Sequence, residues 1–264
     1  MKKKIKSIFI KKEDEDIKKH IMYINYLIVI SLVGIGILYA FNSLDYIYNW
    51  EDIIKEYRYK FILGFGITFL ISFLSLILSI VIGLVLIYFQ KSRFLPFHYF
   101  SKIFIEIVRG TPLIVQIYIF FYVIGTAMNM ENRYVMGVVI MGIFSGAYVG
   151  EILRSGIESI EQKQWETSKV LGLTKYQTYR YIIFPQVVKR IMAPLTGQFA
   201  NLIKDSSLLS IIAVNEFTKN VQEVDSLTFS PIENYCILAI GYLILTYPIS
   251  YISKYYERKF TYGN

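Results

Sequence analysis

The sequence predicts an all-α polytopic membrane protein, a bundle of about six transmembrane helices. Composition is the first reason: of 264 residues, 55% are hydrophobic and only 18% are charged, which leaves too few polar side chains to cover a soluble protein. Length is the second, because a helical crossing takes about 20 mainly apolar residues, so about six crossings fit with little room for a soluble domain. The third is the placement of positive charge along the chain.

The apolar stretches that are long enough to cross a membrane are separated by polar connections. The first, at residues 21–41, has no convincing small-residue cleavage site, so we interpret it as a retained helix. Residues 42–60 are charged and aromatic, which indicates an interfacial helix at the level of the lipid headgroups. Before the third span, Thr111 is expected to cap the helix and Pro112 to occupy its first turn. The five later spans, of which 191–214 is the least apolar, are predicted at 61–89, 112–128, 134–153, 191–214 and 233–253.

Lysine and arginine residues accumulate in alternate connections. The tail 1–20 holds eight, the stretches 90–111 and 154–190 hold four and seven, and the chain after residue 253 holds three, whereas the intervening connections hold five between them. Because positive residues near helix ends favour the cytoplasm, six helices with both termini cytoplasmic are predicted. The same distribution accounts for the net charge of +8 without nucleic acid as a partner, which would require a basic groove with stacking aromatics.

The residues that usually carry metal, redox or nucleotide chemistry do not form a recognisable pattern. Cys236 lies alone in an apolar run, and His20 and His98 are isolated, so neither a disulfide nor a metal site is predicted. The sequence also lacks a G-x-x-x-x-G-K-[ST] motif, so the chain cannot hold nucleotide phosphates in a P-loop of its own.

The connection 154–190 is too long and too patterned for a simple turn. Its first part predicts a short helix that runs through Trp165 and Glu166 to Leu171. Gly172 follows at the position where a left-handed residue commonly ends a helix.

The second part of this connection predicts another short helix. Thr174 and Gln177 form a T-x-x-Q capping box at its start, and Pro185 is expected to end it after Phe184. Such a helix pair is either a docking surface for a partner protein or an interfacial pair that lies on lipid, and the physical argument alone leaves both open. The aromatic side chains that would anchor a partner are Trp165, Tyr176, Tyr179 and Tyr181.

The connection also resembles a known motif, the EAA loop of ABC importer permeases, whose pattern is E-A-A-x3-G-x9-I-x-L-P. The main positions of the motif are present at the expected intervals, as Glu166, Gly172, Ile182 and Pro185. The departures are Thr167 and Ser168 in place of the alanines and Phe184 in place of leucine. In that family the loop forms coupling helices that sit in a cleft of the ATPase subunit, so the resemblance implies this role for these four positions and for Trp165 beside them.

The resemblance covers about residues 61–255 and points to the polar amino-acid branch of the family, in a type I ABC importer permease fold. It is carried by three further segments, 109–116, 146–154 and 198–208. Residues 1–60 lie outside it and are expected to form a cytoplasmic tail, an extra transmembrane helix and the interfacial segment. The branch typically has five helices with an N-terminus outside the cytoplasm. One extra helix before them would therefore place the N-terminus inside. Residues 61–255 are expected to form the permease domain with its coupling loop at 154–190, and residues 256–264 a cytoplasmic tail.

The resemblance implies a transport subunit without catalysis of its own, which moves a polar amino acid inward by alternating access across the bacterial inner membrane. The implied partners are ABC ATPase subunits, a second permease subunit that is either a copy of this chain or a similar permease, and an extracytoplasmic amino-acid-binding protein. ATP and Mg are expected on the ATPase, and no cofactor is expected on this chain. The main alternative is a self-contained secondary transporter or channel, which predicts internal repeats between the two halves. A membrane enzyme is the third possibility, and it would need a nucleophile and base or a metal constellation.

Polar residues inside the predicted spans are candidates for the solute pathway, because a charge at the middle of the membrane costs about 2.5 to 3.5 kcal/mol and usually faces the bundle interior. In the fifth span, Asp205 is placed to meet an ammonium group and Lys204 a carboxylate. A structural ion pair or a polar helix contact is an equally good interpretation. The candidate pathway residues, several of which share one helix face, are Gln198, Asn201, Lys204, Asp205 and Ser206.

Two other polar residues are expected to have structural roles. Glu151 precedes Arg154 by three residues, so an ion pair within one helix is predicted. Gln116 is expected to bond to a neighbouring helix. For Gly64, Gly66 and Gly83 of the second span, close helix packing is the preferred interpretation over a role in gating.

Overall fold

The computed structural model describes residues 18–261, and the regular structure in this range is helical throughout. The all-α prediction is therefore confirmed, whereas the predicted tail before residue 18 lies outside the described range. The α-helices are α1 Lys19–Asn42, α2 Trp50–Gln90, α3 Leu95–Gly110, α4 Leu113–Tyr118, α5 Arg133–Glu158, α6 Gln162–Val170, α7 Lys175–Gln177, α8 Phe184–Asp205, α9 Phe217–Thr228 and α10 Pro231–Thr261. Three segments continue α4, α7 and α8 in other helical geometries, namely the π-helices Ile119–Gly125 and Thr178–Ile183 and the 3₁₀-helix Ser206–Ile212.

The chain divides into two units, one of which ends at Tyr48 and the other of which begins at Asn49. The described part of the first unit contains α1, which includes the predicted first span. In the second unit, α2 begins at Trp50 and continues without a break into the second span, so residues 50–60 are not a separate interfacial helix. The reason is local: Glu51 and Asp52 lie in the first turn of α2, where negative charge is favourable, and Lys55 pairs with Glu51 one turn later.

Within residues 18–261, four helices are long and apolar enough to cross a membrane, namely α1, α2, α5 and α10. A fifth candidate is the pair formed by α3 and the helix that begins with α4, which bend by 112° relative to each other. The helix α8 does not pass this test, which agrees with the prediction that its span is the least apolar. The exact number of crossings stays a prediction.

The second unit has α2 and α5 at its centre, packed through small residues. A Cβ atom added at Gly83 on α2 would lie 2.9 Å from the backbone nitrogen of Gly150 on α5, and one added at Gly146 would lie 2.6 Å from the side chain of Ile82. Such close approach is typical of membrane helix pairs, which associate through small residues. The packing role predicted for Gly83 is confirmed, and so is that of Gly64, where an added Cβ atom would lie 2.9 Å from the Cα atom of Phe217. The prediction is wrong for Gly66, where an added Cβ atom would meet nothing within 4 Å. Ser72, Ser75 and Ser79 of α2 are buried, and the Ser75 hydroxyl donates to the carbonyl oxygen of Val138 on α5 at 3.3 Å.

The sharp bend between α3 and α4 is held by the Gln116 side chain. Its amide nitrogen donates to the carbonyl oxygen of Val108 at 2.7 Å and to the hydroxyl oxygen of Thr111 at 2.9 Å. The prediction that Gln116 bonds to a neighbouring helix is confirmed. The prediction that Thr111 caps α4 is wrong, because its hydroxyl donates back to the carbonyl of Ile107 at 2.8 Å and Pro112 takes the capping position.

Candidate functional site

The connection between α5 and α8 folds as two short helices joined by a tight turn, as the sequence predicts. The first is α6, and Gly172 follows it with a φ of +72°, in the left-handed region. At the start of α7, the Gln177 backbone nitrogen donates to the Thr174 hydroxyl at 3.3 Å, and the Thr174 backbone nitrogen donates to the Gln177 side chain at 2.9 Å. The predicted left-handed glycine and capping box are therefore both confirmed.

The second helix of the loop does not end at Pro185, and that prediction is wrong. The helix α7 continues as the π-helix Thr178–Ile183 directly into α8. Pro185 is the second residue of α8 and follows the π-helix directly, so its missing N–H falls where the hydrogen-bond pattern changes from π to α. The loop and the fifth predicted span are therefore parts of one continuous helical path.

A hydrophobic cluster fixes the loop to the ends of α5 and α8. Trp165 and Ile182, two of the predicted coupling residues, pack against this cluster, and the Trp165 ring contacts the Tyr179 ring edge-on at 5.1 Å. Both side chains therefore hold the two loop helices together instead of forming their outer surface. The buried members of the cluster are Ile160, Ile183, Val187 and Ile191.

Around Gly172 the loop exposes large apolar side chains, which we call the loop tip and define as Val170, Leu171 and Tyr176. Their exposed fractions are 87%, 68% and 72%. Glu166 is exposed one turn earlier on α6, and its carboxylate accepts from the Gln162 side chain at 3.1 Å. An apolar surface rimmed by polar groups is typical of a protein interaction site.

The structure separates the predicted pathway residues, which lie on α8 and at the start of the 3₁₀-helix that follows it, into two groups. Gln198 and Ser206 are buried, and the Gln198 side chain donates to the Ser145 hydroxyl of α5 at 3.3 Å. Asn201 and Lys204 are exposed, and Asp205 is half-buried. Within the described range, no salt bridge within 4.0 Å joins Lys204 to Asp205, so the two side chains do not form a direct ion pair with each other.

Glu151 lies in an ion network at the loop end of α5. Arg154 donates to the two oxygens of its carboxylate at 3.0 and 2.6 Å, which confirms the predicted pair. Arg109, at the end of α3, lies 3.6 Å from the same carboxylate and stacks over the Tyr148 ring at 5.5 Å. The network therefore ties the end of α3 to the end of α5.

Sequence reasoning missed two buried acidic residues, Glu233 and Glu216, both of which are 0% exposed. Of these, Glu216 caps α9. Its carboxylate accepts from the backbone nitrogens of Thr218 and Lys219 at 2.9 and 2.8 Å. It also accepts from the Thr68 hydroxyl of α2 at 3.2 Å and the Tyr242 hydroxyl of α10 at 3.0 Å. The available signal was weak, because glutamate is not among the preferred capping residues and α9 lies in a predicted connection.

A comparison with known protein families identifies the family of this chain, because one family matches most of the sequence. Residues 79–262 match the family described as "Binding-protein-dependent transport system inner membrane component". The chain belongs to this family. It is therefore a transport permease subunit of the inner membrane and not an enzyme, in the type I importer fold that the sequence predicted. The self-contained transporter or channel is not supported.

Individual relatives of this permease agree with that assignment. The "Glutamine transport system permease protein GlnP" of Escherichia coli (strain K12) is 36% identical over 161 residues, which are 60% of this chain and 74% of the relative. The "Probable glutamine ABC transporter permease protein GlnM" of Bacillus subtilis (strain 168) is 31% identical over 196 residues, which are 74% of this chain and 91% of the relative.

Solved structures share the fold of this permease. An amino acid ABC transporter crystallised with histidines superposes with a TM-score of 0.75 at 30% identity and covers 81% of this chain and 100% of its own. The inward-facing MetNI methionine ABC transporter superposes with a TM-score of 0.65 at 16% identity and covers 77% of this chain and 97% of its own. At that lower identity the likeness concerns the fold alone.

Proposed function

We propose that this permease moves a polar amino acid into the cell by alternating access, driven by two ABC ATPase subunits that dock on the loop tip. The observation that carries the proposal is the loop itself. It presents Val170, Leu171 and Tyr176 outward while a buried cluster fixes its inner side to the bundle. The loop tip is an exposed apolar surface, and the buried cluster beneath it connects the loop to the bundle. A partner that binds the loop tip would therefore move the bundle helices with it.

The helical path from the loop into the bundle supports this role. A displacement of α7 by a docked ATPase would pass through the π-helix Thr178–Ile183 into α8 without crossing a flexible turn. Nucleotide binding to the partners, which hold ATP and Mg, would then favour one of two helix arrangements over the other. The predicted coupling residues have different roles in this proposal. Glu166 faces the partner, Gly172 allows the turn between α6 and α7, and Pro185 lies where the loop enters α8.

The solute is proposed to be a polar amino acid, because the relatives named above are glutamine permeases and one similar structure holds histidines. The exposed face of α8 carries Asn201 and Lys204 beside the half-buried Asp205. A second permease subunit that covered this face would enclose a site with one positive and one negative side chain. These would pair with the carboxylate and the ammonium group of a zwitterion. The buried Gln198 and Ser206 would then support the helix instead of contacting the solute.

The external partner and the orientation follow from the same proposal. An extracytoplasmic amino-acid-binding protein delivers the solute, and the loop tip lies in the cytoplasm. The excess of Lys and Arg in the connections on the loop side supports this orientation, with both termini cytoplasmic.

Uptake by cells tests the function and the role of Asp205. We expect that deletion of the permease gene in its host abolishes uptake of at least one of the 20 radiolabelled L-amino acids, and that the wild-type gene restores it. Asp205→Asn should lower the initial rate about tenfold or more, because a charge-assisted contact to the ammonium is lost. The matched control, Glu131→Gln, removes one charge from an exposed connection and should leave the rate unchanged.

The outcomes separate two claims. If no amino acid depends on the gene, the proposed function is wrong. If uptake depends on the gene but Asp205→Asn transports like Glu131→Gln, only the pathway role of Asp205 is wrong.

A further inference from the structure

A pocket of about 370 Å³ lies between the loop ends of α5 and α8. Glu151, Ser155 and Ser159 line it from the end of α5 and the residue that follows, and Arg190 and Pro194 line it from α8. This volume is in the range of small-molecule sites. The pocket lies beside the point where the coupling loop leaves and rejoins the bundle, and its residues on α8 are nearer to the loop in the chain than Asn201 and Asp205 of the proposed pathway.

Arg190 gives one wall of the pocket unused hydrogen-bond donors. One nitrogen of its guanidinium donates to the carbonyl oxygen of Ser159, which fixes the side chain at the pocket. Across residues 18–258, no carboxylate lies within 4.0 Å of this guanidinium. Because a guanidinium has five N–H donors, most of them are left for a ligand, and a planar carboxylate matches their geometry.

Glu151 gives the opposite wall a fixed negative charge. Its carboxylate is held by Arg154 and lies near Arg109, so its direction is set before any ligand arrives. A carboxylate has about four acceptor positions, and these two arginines do not occupy all of them. The pocket therefore has a guanidinium with free N–H donors, Arg190, on α8 and a carboxylate with a fixed orientation, Glu151, on α5.

We propose that this pocket binds the transported amino acid from the cytoplasmic side, with its α-carboxylate on Arg190 and Ser155 and its α-ammonium towards Glu151. The inference rests on the proposed function, which supplies the solute class and the orientation. A phosphate group, whether free or from a lipid, would bind Arg190 but face the Glu151 carboxylate. A zwitterion has a negative group for Arg190 and a positive group for Glu151. It would bridge α8 and α5, and the pocket would be a second solute site on the cytoplasmic side.

Hydrogen exchange on the assembled transporter tests the pocket directly. The complex of permeases and ATPases is placed in phosphatidylcholine nanodiscs without nucleotide or binding protein, and each of the 20 L-amino acids is added at high concentration. We expect at least one amino acid to slow amide exchange in segments 151–159 and 187–194 several-fold. The corresponding amino alcohol, which lacks the carboxylate, should not.

Two variants on one helix make the test specific. Arg190→Gln keeps an N–H donor for the Ser159 carbonyl but removes the guanidinium, so the apparent affinity should fall about tenfold or more. Lys189→Gln removes the neighbouring exposed cation and should retain wild-type protection. Unchanged exchange in α2 shows that both variants are folded.

Several results would overturn the proposal. These are protection by none of the amino acids in the wild-type protein, equal protection in Arg190→Gln, or equal protection by the amino alcohol. A second preparation adds phosphatidylglycerol to the nanodisc. Protection of the same segments by this lipid, with no further effect of any amino acid, would identify a lipid phosphate as the occupant instead. Because this experiment needs neither uptake nor ATP, its failure leaves the uptake result intact, and a failed uptake assay does not alter the exchange result.

Discussion

Gly172→Val is expected to lower amino-acid uptake about tenfold or more, whereas Gly172→Asn is expected to keep most of it. The φ of Gly172 is +72°, and a Cβ atom there would meet nothing within 4 Å. Space is therefore not the obstacle. The obstacle is the left-handed backbone, which costs about 1 to 3 kcal/mol for most residues and most for a β-branched one, whereas asparagine tolerates it.

The valine variant can relieve this strain only by changing the turn between α6 and α7, which displaces Leu171 and Tyr176 of the loop tip. A loss of about 1.4 kcal/mol in coupling corresponds to a tenfold lower rate. The measurement is the initial uptake rate per permease in the membrane, together with ATP hydrolysis stimulated by the binding protein. Equal uptake by the two variants would contradict a role for the turn geometry.

Glu216→Ala is expected to be the most destabilising of the substitutions considered, by about 3 kcal/mol or more. It removes the cap of α9 and takes an acceptor from the buried Thr68 hydroxyl and from the part-buried Tyr242 hydroxyl, which keeps the Thr218 hydroxyl at 2.9 Å as a second partner. Each buried polar group that loses its partner costs about 1 to 3 kcal/mol. Glu216→Gln keeps one acceptor oxygen but brings an NH₂ group towards existing donors, so an intermediate loss is expected.

Thermal unfolding of the purified permease in mild detergent measures this effect. The exposed Glu131→Gln is the matched control, and it should change stability by less than about 0.5 kcal/mol. If Glu216→Ala unfolds at the same temperature as Glu131→Gln, the carboxylate does not hold α2, α9 and α10 together.

The parts of the fold that sequence predicts well are those where one local signal decides the structure. Long apolar runs identify α1, α2, α5 and α10, and the turn at Gly172 and the capping box at Thr174 depend on residues within a few positions of each other. The helices α3 and α9 were missed because their apolar residues are interleaved with charged and polar ones. Those helices become stable only when one face packs against the bundle, as Ile105 and Val221 do.

Interactions that residue type alone does not predict account for the wrong predictions at Thr111 and Pro185. Thr111 has the right type for a cap, but Gln116 recruits it to hold the bend. Pro185 has the right type for a helix end, but α7 and α8 join through a π-helix before it. The role of Glu216 was not predicted because two of its hydrogen-bond partners are more than 20 residues away in sequence.

The pathway assignment shows what helical spacing alone leaves open. Gln198, Asn201 and Asp205 share a face by spacing, yet the first is buried against Ser145 and the second is exposed. Spacing states which residues lie on one side of a helix, but only the neighbours decide what that side contacts. The roles of Lys204 and Asp205 in transport therefore stay predictions that the uptake assay tests.

Docking of an ATPase on the loop tip is the central claim, and purification of the tagged permease from its native host in gentle detergent tests it most directly. Leu171→Asp is compared with the wild type and with Met128→Asp, which puts the same charge on an exposed apolar residue outside the loop. We expect a P-loop ATPase, identified by mass spectrometry and by ATP hydrolysis, to co-purify with the wild type and Met128→Asp but not with Leu171→Asp. Retention of the ATPase by Leu171→Asp, or its absence from the wild-type preparation, would contradict the account.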